Sequence, residues 1–134
     1  MAGYLLDTNH LSAAIRRVSP LRDRICEVMR QGIRVGTCMP VICELEAAIQ
    51  QTKRPKACRG TLDSLLREVR LWPVDRQVDR LFGEIYVDLR QRGRALSHAD
   101  IVLASIARLM DLTILTTDRD FEALPDIRTE NWLS

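Results

Sequence analysis

Hydrophobic positions along the chain form two kinds of pattern, which alternate from one end to the other. Short apolar or β-branched runs predict strands, whereas apolar residues at i, i+3, i+4 and i+7 predict amphipathic helices. The predicted strands are residues 3–6, 33–37, 71–74, 113–117 and 127–132. The predicted helices are residues 11–17, 20–31, 40–49, 62–69, 78–89 and 99–110. This alternation predicts an α/β fold with a mainly parallel sheet, in one domain that spans residues 1–134.

Polar residues and prolines mark the expected helix ends. Thr8 or Asn9 is expected to cap the first helix, and Ser97 is expected to cap the last one. Pro55, within the basic segment 53–60, is expected to break any helix there.

Acidic residues come directly after two of the predicted strands. Asp7 follows the first strand, and Asp118 and Asp120 follow the strand 113–117. Ligands bind at the carboxyl ends of the strands in open parallel sheets, so these acids are candidate functional residues. An aspartate in such a position can also serve only as a cap for the next turn or helix.

Two further acids lie on predicted helices, at or beside the apolar stripe. Glu44 falls inside the stripe of its helix, and a buried carboxylate needs an arginine partner or a metal ion. Its neighbour Glu46 is expected to face solvent. Asp100 lies in the first turn of the helix 99–110, where a negative charge alone stabilises a helix by about 0.3–1 kcal/mol.

Four carboxylates gathered at one sheet edge would repel one another strongly. At about 6 Å and an effective dielectric constant of 20, each pair costs roughly 3 kcal/mol. A charged cluster of this kind implies a bound cation. The chain has only 2 His, and its 4 Cys lack the spacing of a metal site, so oxygen ligands favour Mg²⁺ or Mn²⁺. This chemistry suggests metal-assisted hydrolysis at a phosphate.

Composition excludes several classes of protein. With 20 Lys and Arg against 18 Asp and Glu, and 46% apolar residues, the chain is neither disordered nor polybasic. No apolar run approaches the roughly 20 residues that a membrane span needs. The N-terminus also lacks the pattern of a signal peptide. We therefore expect a cytoplasmic protein with reduced cysteines and no membrane partner.

Four segments contain the candidate acids in a characteristic order. They are Leu5-Leu6-Asp7-Thr8-Asn9, the helix around Glu44-Leu45, Ser97-His98-Ala99-Asp100-Ile101-Val102-Leu103-Ala104, and Leu115-Thr116-Thr117-Asp118-Arg119-Asp120-Phe121. Together they resemble the four motifs of PIN-domain nucleases and, within that group, the VapC-type toxins of bacterial type II toxin–antitoxin pairs.

The resemblance implies a five-stranded parallel sheet flanked by helices, a homodimer, and a Mg²⁺- or Mn²⁺-dependent endoribonuclease toxin that a cognate antitoxin neutralises. It implies that the catalytic, metal-binding acids are Asp7, Glu44, Asp100 and Asp118. The supporting polar residues would be Thr8, Asn9, Thr116 and Asp120. Glu44 would either ligate the metal or orient the attacking water, and Thr116 would hydrogen-bond either a carboxylate or that water.

Two basic segments are candidate contacts for RNA phosphates. Their residues are Lys53, Arg54, Lys56 and Arg59 in the first segment and Arg92 and Arg94 in the second. Arginine suits phosphate through its bidentate fork, although solvated loop charge explains the pattern equally well. Aromatic residues make up only 4% of the chain, which argues against a base-stacking platform.

Other functions remain open at this point. A catalytically silent PIN-fold module that binds RNA or protein would keep the fold without the chemistry. A Mg²⁺-binding phospho-receiver domain would need a lysine after a late strand, whereas Lys53 and Lys56 both lie in the middle of the chain. His10 and His98 lie beside two of the motifs, but metal-assisted hydrolysis needs no histidine base, so we assign both to structural roles.

Overall fold

The computed structural model describes residues 3–133, which alternate between short strands and helices. The strands are β1 (Gly3–Leu6), β2 (Val35–Thr37), β3 (Arg70–Leu71), β4 (Leu112–Leu115) and β5 (Thr129–Glu130). The helices are α1 (Thr8–Ala14), α2 (Pro20–Arg30), α3 (Met39–Ile49), α4 (Pro55–Leu66), α5 (Arg76–Gln91) and α6 (His98–Met110). A short 3₁₀ helix, Arg119–Ala123, follows β4.

The strands form one five-stranded sheet in the order β3-β2-β1-β4-β5. Every neighbouring pair is parallel, which confirms the predicted sheet. In chain order, β2 and β3 are added on one side of β1, and β4 and β5 are then added on its other side. This reversal makes the carboxyl ends of β1 and β4 a topological switch point, where open α/β sheets bind their ligands.

Two predicted helix boundaries are wrong, and both errors have a physical cause. The first helix is capped by Asp7, not by Thr8 or Asn9, because an Asp7 carboxylate oxygen accepts the Thr8 N–H at 2.7 Å. Pro55 does not break a helix but opens α4. Proline suits the first turn of a helix, where its missing N–H has no intrahelical partner. Much of the basic segment 53–60 is therefore helical.

Several strands are shorter than their sequence patterns predict. The last strand covers only Thr129–Glu130 of the predicted 127–132. The weak strand predicted at 71–74 is Arg70–Leu71, and it ends before Pro73, which cannot donate to a strand ladder.

The core lies between the sheet and the helices that flank it. Its largest fully buried side chains include Leu5, Leu11, Ile85, Ile101 and Phe121. The four cysteines are free thiols, as predicted. Within residues 3–133, every helix is too short or too polar to cross a lipid bilayer.

Gly36 lets β2 pack tightly against the edge of the sheet. The Trp72 indole is buried beside it and donates to the Tyr4 carbonyl at 3.0 Å. A Cβ atom at Gly36 would lie 2.5 Å from the Arg70 carbonyl oxygen and 2.6 Å from the Trp72 Nε1. The first neighbour is a backbone atom and the second belongs to a buried ring, so neither can move aside easily and this position has no room for a side chain.

We expect Gly36→Ala to lower the free energy of unfolding by about 1–3 kcal/mol, the usual cost of overpacking. Urea denaturation followed by circular dichroism measures the change. Gly83→Ala is the matched control, because a Cβ at that exposed position in α5 meets nothing within 4 Å. That variant should gain about 0.5–1 kcal/mol from helix propensity. Equal effects in the two variants would contradict this account of β2.

Candidate active site

The site is built where β1 and β4 end side by side. Leu6 pairs with Leu115, and the Asp7 N–H donates to the Leu115 carbonyl at 3.0 Å. The residues that follow the two strands therefore meet at one edge of the sheet. This placement brings the first and fourth sequence motifs together, although they lie more than a hundred residues apart in the sequence.

Asp7 is buried at this edge, with 7% of its surface exposed. One carboxylate oxygen accepts the Thr8 N–H, and the other accepts the Thr116 hydroxyl at 2.7 Å. The Thr116 oxygen in turn accepts the Asp118 N–H at 2.9 Å. Of the two roles left open for Thr116, the structure shows the hydrogen bond to a carboxylate. The orientation of Asp7 is thus fixed at both oxygens.

Three other acids form the tightest cluster within the described residues. Asp100, Asp118 and Asp120 each offer one carboxylate oxygen, and these oxygens lie within 4.8 Å of one another. Asp100 is placed by the start of α6, where the Ser97 hydroxyl accepts its N–H at 3.1 Å, as the predicted cap requires. The Asp118 carboxylate caps the Asp120 N–H at 2.8 Å. Asp120, expected only as a supporting residue, therefore lies within the cluster.

Glu44 does not occupy a buried position, so that prediction is wrong. The buried side of α3 consists of Val41, Leu45 and Ile49, and Glu44 lies at its exposed margin. The Thr8 hydroxyl donates to the Glu44 carboxylate at 2.8 Å. Since Thr8 follows Asp7 directly, this bond keeps Glu44 beside the site without placing it among the three clustered acids.

The arginine pairing considered for Glu44 occurs instead at Glu46. Glu46 is partly buried, and its carboxylate accepts from two nitrogens of Arg59. Glu46 was expected to face solvent, whereas the structure places it partly buried and paired with Arg59. The pairing lowers the pKa of Glu46 and holds one of the candidate RNA-binding arginines against the protein surface.

Burial and like charge make ionisation of the site costly. Burial raises the pKa of Asp7, an effect that hydrogen bonds from Thr116 and Thr8 oppose and the charges of Glu44 and Asp118 increase. Burial also raises the pKa of Asp100 to about 6, and the nearby acids add to the rise. None of the ion pairs formed between residues 3–133 involves the acids of the site.

This arrangement could hold a hard divalent cation. Oxygens bound to one ion at 2.0–2.6 Å lie at most about 4–5 Å apart, which is comparable to the span of the three clustered acids. Carboxylates without a cationic side chain beside them are the ligands that such ions prefer. Neither histidine belongs to the cluster.

The two histidines have structural surroundings, as predicted. His10 is fully buried and hydrogen-bonded at both ring nitrogens, to the Asn9 side chain and to the Trp132 N–H. Burial lowers the pKa of His10 to about 4, so its ring is neutral. His98 is exposed and contacts the rings of Phe82 and Tyr86 edge-on. No local sequence pattern predicts that His10 connects the segment after β5 to the first motif.

The two basic segments differ in their distance from the acids. Arg54 lines a cavity of about 340 Å³ beside Ile15, just past the end of α1, whereas Asp7 lies at the start of that helix. The seven residues of α1 span roughly 10 Å along the helix axis. Lys53 and Lys56 lie exposed on either side of Arg54, so this part of the first segment lies toward the end of α1 that is farther from Asp7.

The second basic segment lies nearer to the site. Arg94 lines a cavity of about 470 Å³ with His98, which begins α6 two residues before Asp100. Arg92 is held within the protein by Asp88 at 2.8 Å and by the Ala123 carbonyl at 2.8 Å. Arg94 therefore lies at a cavity that reaches the start of the helix carrying Asp100.

Comparisons with known proteins agree with this geometry. Ribonuclease VapC2 of Rickettsia felis is 24% identical over 130 residues, covering 96% of this chain and 97% of that protein. The tRNA(fMet)-specific endonuclease VapC of Shigella flexneri is 25% identical over 134 residues, covering 98% and 99%. The alignments thus run along nearly the full length of each protein.

Solved structures share the fold. A crystal structure of VapBC2 from Rickettsia felis, bound to a DNA fragment from its promoter, contains a chain that matches with a TM-score of 0.85 at 23% identity. The match covers 96% of this chain and 98% of that one. DNA-bound VapBC from Salmonella typhimurium matches with a TM-score of 0.84 at 22% identity, covering 98% and 99%. The PIN domain model matches residues 4–127, and because it spans nearly the whole sequence, this chain belongs to the PIN domain family.

Proposed function

We propose that this protein is a Mg²⁺- or Mn²⁺-dependent endoribonuclease that acts as a toxin and is neutralised by a cognate antitoxin. The observation that carries the proposal is the cluster of Asp100, Asp118 and Asp120 beside the buried Asp7, with no cationic side chain paired to any of them among the described residues. The relatives named as a ribonuclease and a tRNA endonuclease support RNA as the substrate.

Asp7, Asp100, Asp118 and Asp120 are the residues that would hold the cation. A bound divalent ion would polarise the scissile phosphate, lower the pKa of a water and offset charge on the leaving oxygen. Thr116 holds Asp7 in one orientation through the bond to its carboxylate. This support reduces the reorganisation needed when a ligand binds.

Glu44 has a different role in this proposal. It is exposed and bound by the Thr8 hydroxyl, and it lies outside the three clustered acids. An acid in such a position is suited to orient a water molecule and accept its proton, rather than to serve as a main ligand. Of the two roles considered from the sequence, we therefore assign to Glu44 the orientation of the attacking water rather than ligation of the metal.

The path of the RNA follows from the unequal placement of the basic residues. Arg94 lines the cavity beside the start of α6, the helix that carries Asp100. Arg59 and Arg92 are engaged by Glu46 and Asp88, so each has less charge to offer a phosphate. We therefore propose that the scissile region of the RNA passes over Arg94, and that Lys53, Arg54 and Lys56 contact only more distant phosphates, if the substrate is long enough to reach them.

The antitoxin is proposed to dock between α1, α3 and α4. Two adjoining cavities there share Ile15, Arg16 and Cys58. The exposed Ala48 and Ala57 and the half-buried Cys58 offer apolar surface beside the positive charge of Arg16. A partner segment that carries apolar and acidic side chains on one face would fit this surface. Trp72 is buried and therefore belongs to the core, not to an interface of this kind.

A homodimer is part of the same proposal. Leu71 on the edge strand β3 and Val74 just after it are both exposed. A second copy of the chain would remove this apolar surface from water and cover the unpaired side of the edge strand.

The raised pKa of Asp100 predicts how stability depends on pH in the metal-free protein. Between its ordinary value of 3.8 and about 6, the folded protein keeps a proton that the unfolded chain has lost. The free energy of unfolding in EDTA should therefore fall as pH rises through this range and stay low above it. Asp100→Asn should remove about 1 kcal/mol of this fall, a value reduced for solvent screening of a partly exposed group.

Urea denaturation in EDTA at a series of pH values measures this dependence. Asp111→Asn is the control, because Arg128 lowers the pKa of Asp111 and the sign of its contribution is opposite. Asparagine also tolerates the left-handed backbone at that position. An unchanged pH slope in Asp100→Asn would mean that the acids do not strain the metal-free fold.

RNA cleavage should require a divalent cation and the clustered acids. We expect EDTA to abolish cleavage of RNA and added Mg²⁺ or Mn²⁺ to restore it. Asp7→Asn and Asp100→Asn should each lower kcat/KM by at least about 100-fold, because second-shell changes alone cost 10–100-fold. Gel assays of a labelled RNA measure the rates.

Glu44→Gln and Glu46→Gln form a matched pair on α3. Only Glu44→Gln should slow cleavage, since Glu46 is bound to Arg59 away from the cluster. Cleavage that persists in EDTA, or full activity of both aspartate variants, would refute the proposed function.

The salt dependence of RNA binding should distinguish the basic residues. In an Asp7→Asn background that prevents cleavage, Arg94→Gln should weaken binding and reduce the slope of log K against log salt by about 0.7 for a single-stranded RNA. Arg92→Gln should change the slope less, because Asp88 already offsets its charge. Fluorescence anisotropy over a range of salt concentrations measures both slopes. Equal slopes for parent and Arg94→Gln proteins would remove Arg94 from the RNA path.

A further inference from the structure

We infer that His10 is a positioning residue for the acidic edge, because it holds the Asn9 amide in the orientation that supports Thr116 and, through Thr116, the Asp7 carboxylate. The side-chain hydrogen bonds of His10 go to Asn9 and Trp132, and His10 is not a member of the acidic cluster. Its effect on Asp7 passes through three hydrogen bonds in series, from His10 to Asn9, from Asn9 to Thr116 and from Thr116 to Asp7. The inference rests on the proposed function in treating Asp7 as an acid that binds the cation.

The first step is the tautomer of the His10 ring. The Trp132 N–H donates to Nε2 at 3.0 Å, so this nitrogen carries no proton. A neutral ring then has its proton on Nδ1, which lies 2.7 Å from the Asn9 side-chain oxygen. Because the ring is fully buried, neither bond can be exchanged for one to solvent.

The second step is the orientation of the Asn9 amide. Its oxygen accepts from His10 and also from the Thr117 N–H at 3.2 Å. The amide nitrogen therefore points the other way, toward the Thr116 hydroxyl oxygen at 3.5 Å. A flipped Asn9 would set its NH₂ group against two other donors, so His10 and Thr117 together exclude that state.

The third step leads to the acids. Thr116 donates its hydroxyl proton to Asp7 and accepts the Asp118 N–H. Its oxygen thus links Asn9 to two of the acids of the site. A change in the Asn9 amide alters a donor that faces this same oxygen, and the Thr116 hydroxyl then loses part of its orientation toward Asp7.

The network begins in the segment that follows β5. The Trp132 ring packs edge-on against the Tyr4 ring, with 4.8 Å between the two ring centroids. The Arg24 guanidinium carbon lies 4.0 Å from the centroid of the Trp132 ring. These contacts hold the Trp132 backbone where its N–H meets His10. The segment after the last strand is in this way part of the support of the acidic edge.

Two substitutions separate the two bonds of the ring. In His10→Asn, the amide nitrogen takes approximately the place of Nδ1 and can still donate to Asn9, but the bond to Trp132 is lost. In His10→Gln, the longer side chain can still accept from Trp132, but the donor to Asn9 is lost. If His10 serves only to fill the core or anchor Trp132, His10→Gln should be the milder change.

We expect the opposite order. His10→Gln should weaken Mn²⁺ binding about 10-fold, as measured by the free Mn²⁺ signal in electron paramagnetic resonance. It should also lower kcat on RNA with little change in KM. His10→Asn should stay close to the parent protein in both measurements.

A second readout does not depend on the proposed function. The side-chain amide signals of Asn9 in ¹⁵N-edited NMR should shift or broaden in His10→Gln and keep their positions in His10→Asn. Ile85→Val in α5 is the control for stability, because it removes a buried methyl group from a helix that takes no part in the hydrogen bonds between His10 and Asp7. That variant should lower Tm without moving the Asn9 signals or the Mn²⁺ affinity.

Trp132→Ala provides a test if His10→Gln fails to fold. It keeps the backbone N–H but removes the ring that packs on Tyr4, so it should move the Asn9 signals and weaken Mn²⁺ binding severalfold. Unchanged Asn9 signals in folded His10→Gln or Trp132→Ala, or a milder effect in His10→Gln than in His10→Asn, would overturn the inference. A parent protein that neither binds Mn²⁺ nor cleaves RNA would refute the proposed function, and the NMR comparison would still decide the role of His10.

Discussion

The burial of the Asp7 carboxylate at the carboxyl end of the central strand is the constraint on which the rest of the site depends. A carboxylate in that position needs a partner for each oxygen, and the protein supplies the Thr8 N–H and the Thr116 hydroxyl. The first partner fixes where α1 begins, and the second ties the end of β4 to the end of β1. Burial, and after it the charges of nearby carboxylates, still raise the pKa of Asp7, so these two partners do not offset the whole cost of ionising it.

Capping and metal binding are compatible roles for the same acids. Asp7 caps α1, Asp118 caps the 3₁₀ helix, and Asp100 lies in the first turn of α6. Each therefore has the structural function that its sequence position suggests. What capping does not explain is why these acids converge without a basic partner among the described residues. The convergence, rather than any single acid, carries the functional argument.

Much of the fold and site could be predicted because it depends on local patterns. β1, α2 and α6 follow from apolar periodicity and cap residues, and Asp7 and Asp118 follow from their positions after strands. The burial of Glu44 was mispredicted because it lies at the margin of an apolar stripe, where a small rotation of α3 exposes a side chain. The place of Asp120 in the cluster and the link from His10 to Trp132 depend on how distant segments pack, which no local pattern records.

The strand order also bears on how the chain matures during synthesis. β1 pairs along its whole length with β4, whose residues leave the ribosome more than a hundred positions later. Helices α1 to α5 can gather around β1 and β2 before that, but the central strand stays uncovered on one side until β4 arrives. Asp118 and Asp120 emerge later still. A nascent chain therefore has no complete acidic edge until β4 and the residues that follow it have been made and have paired beside β1.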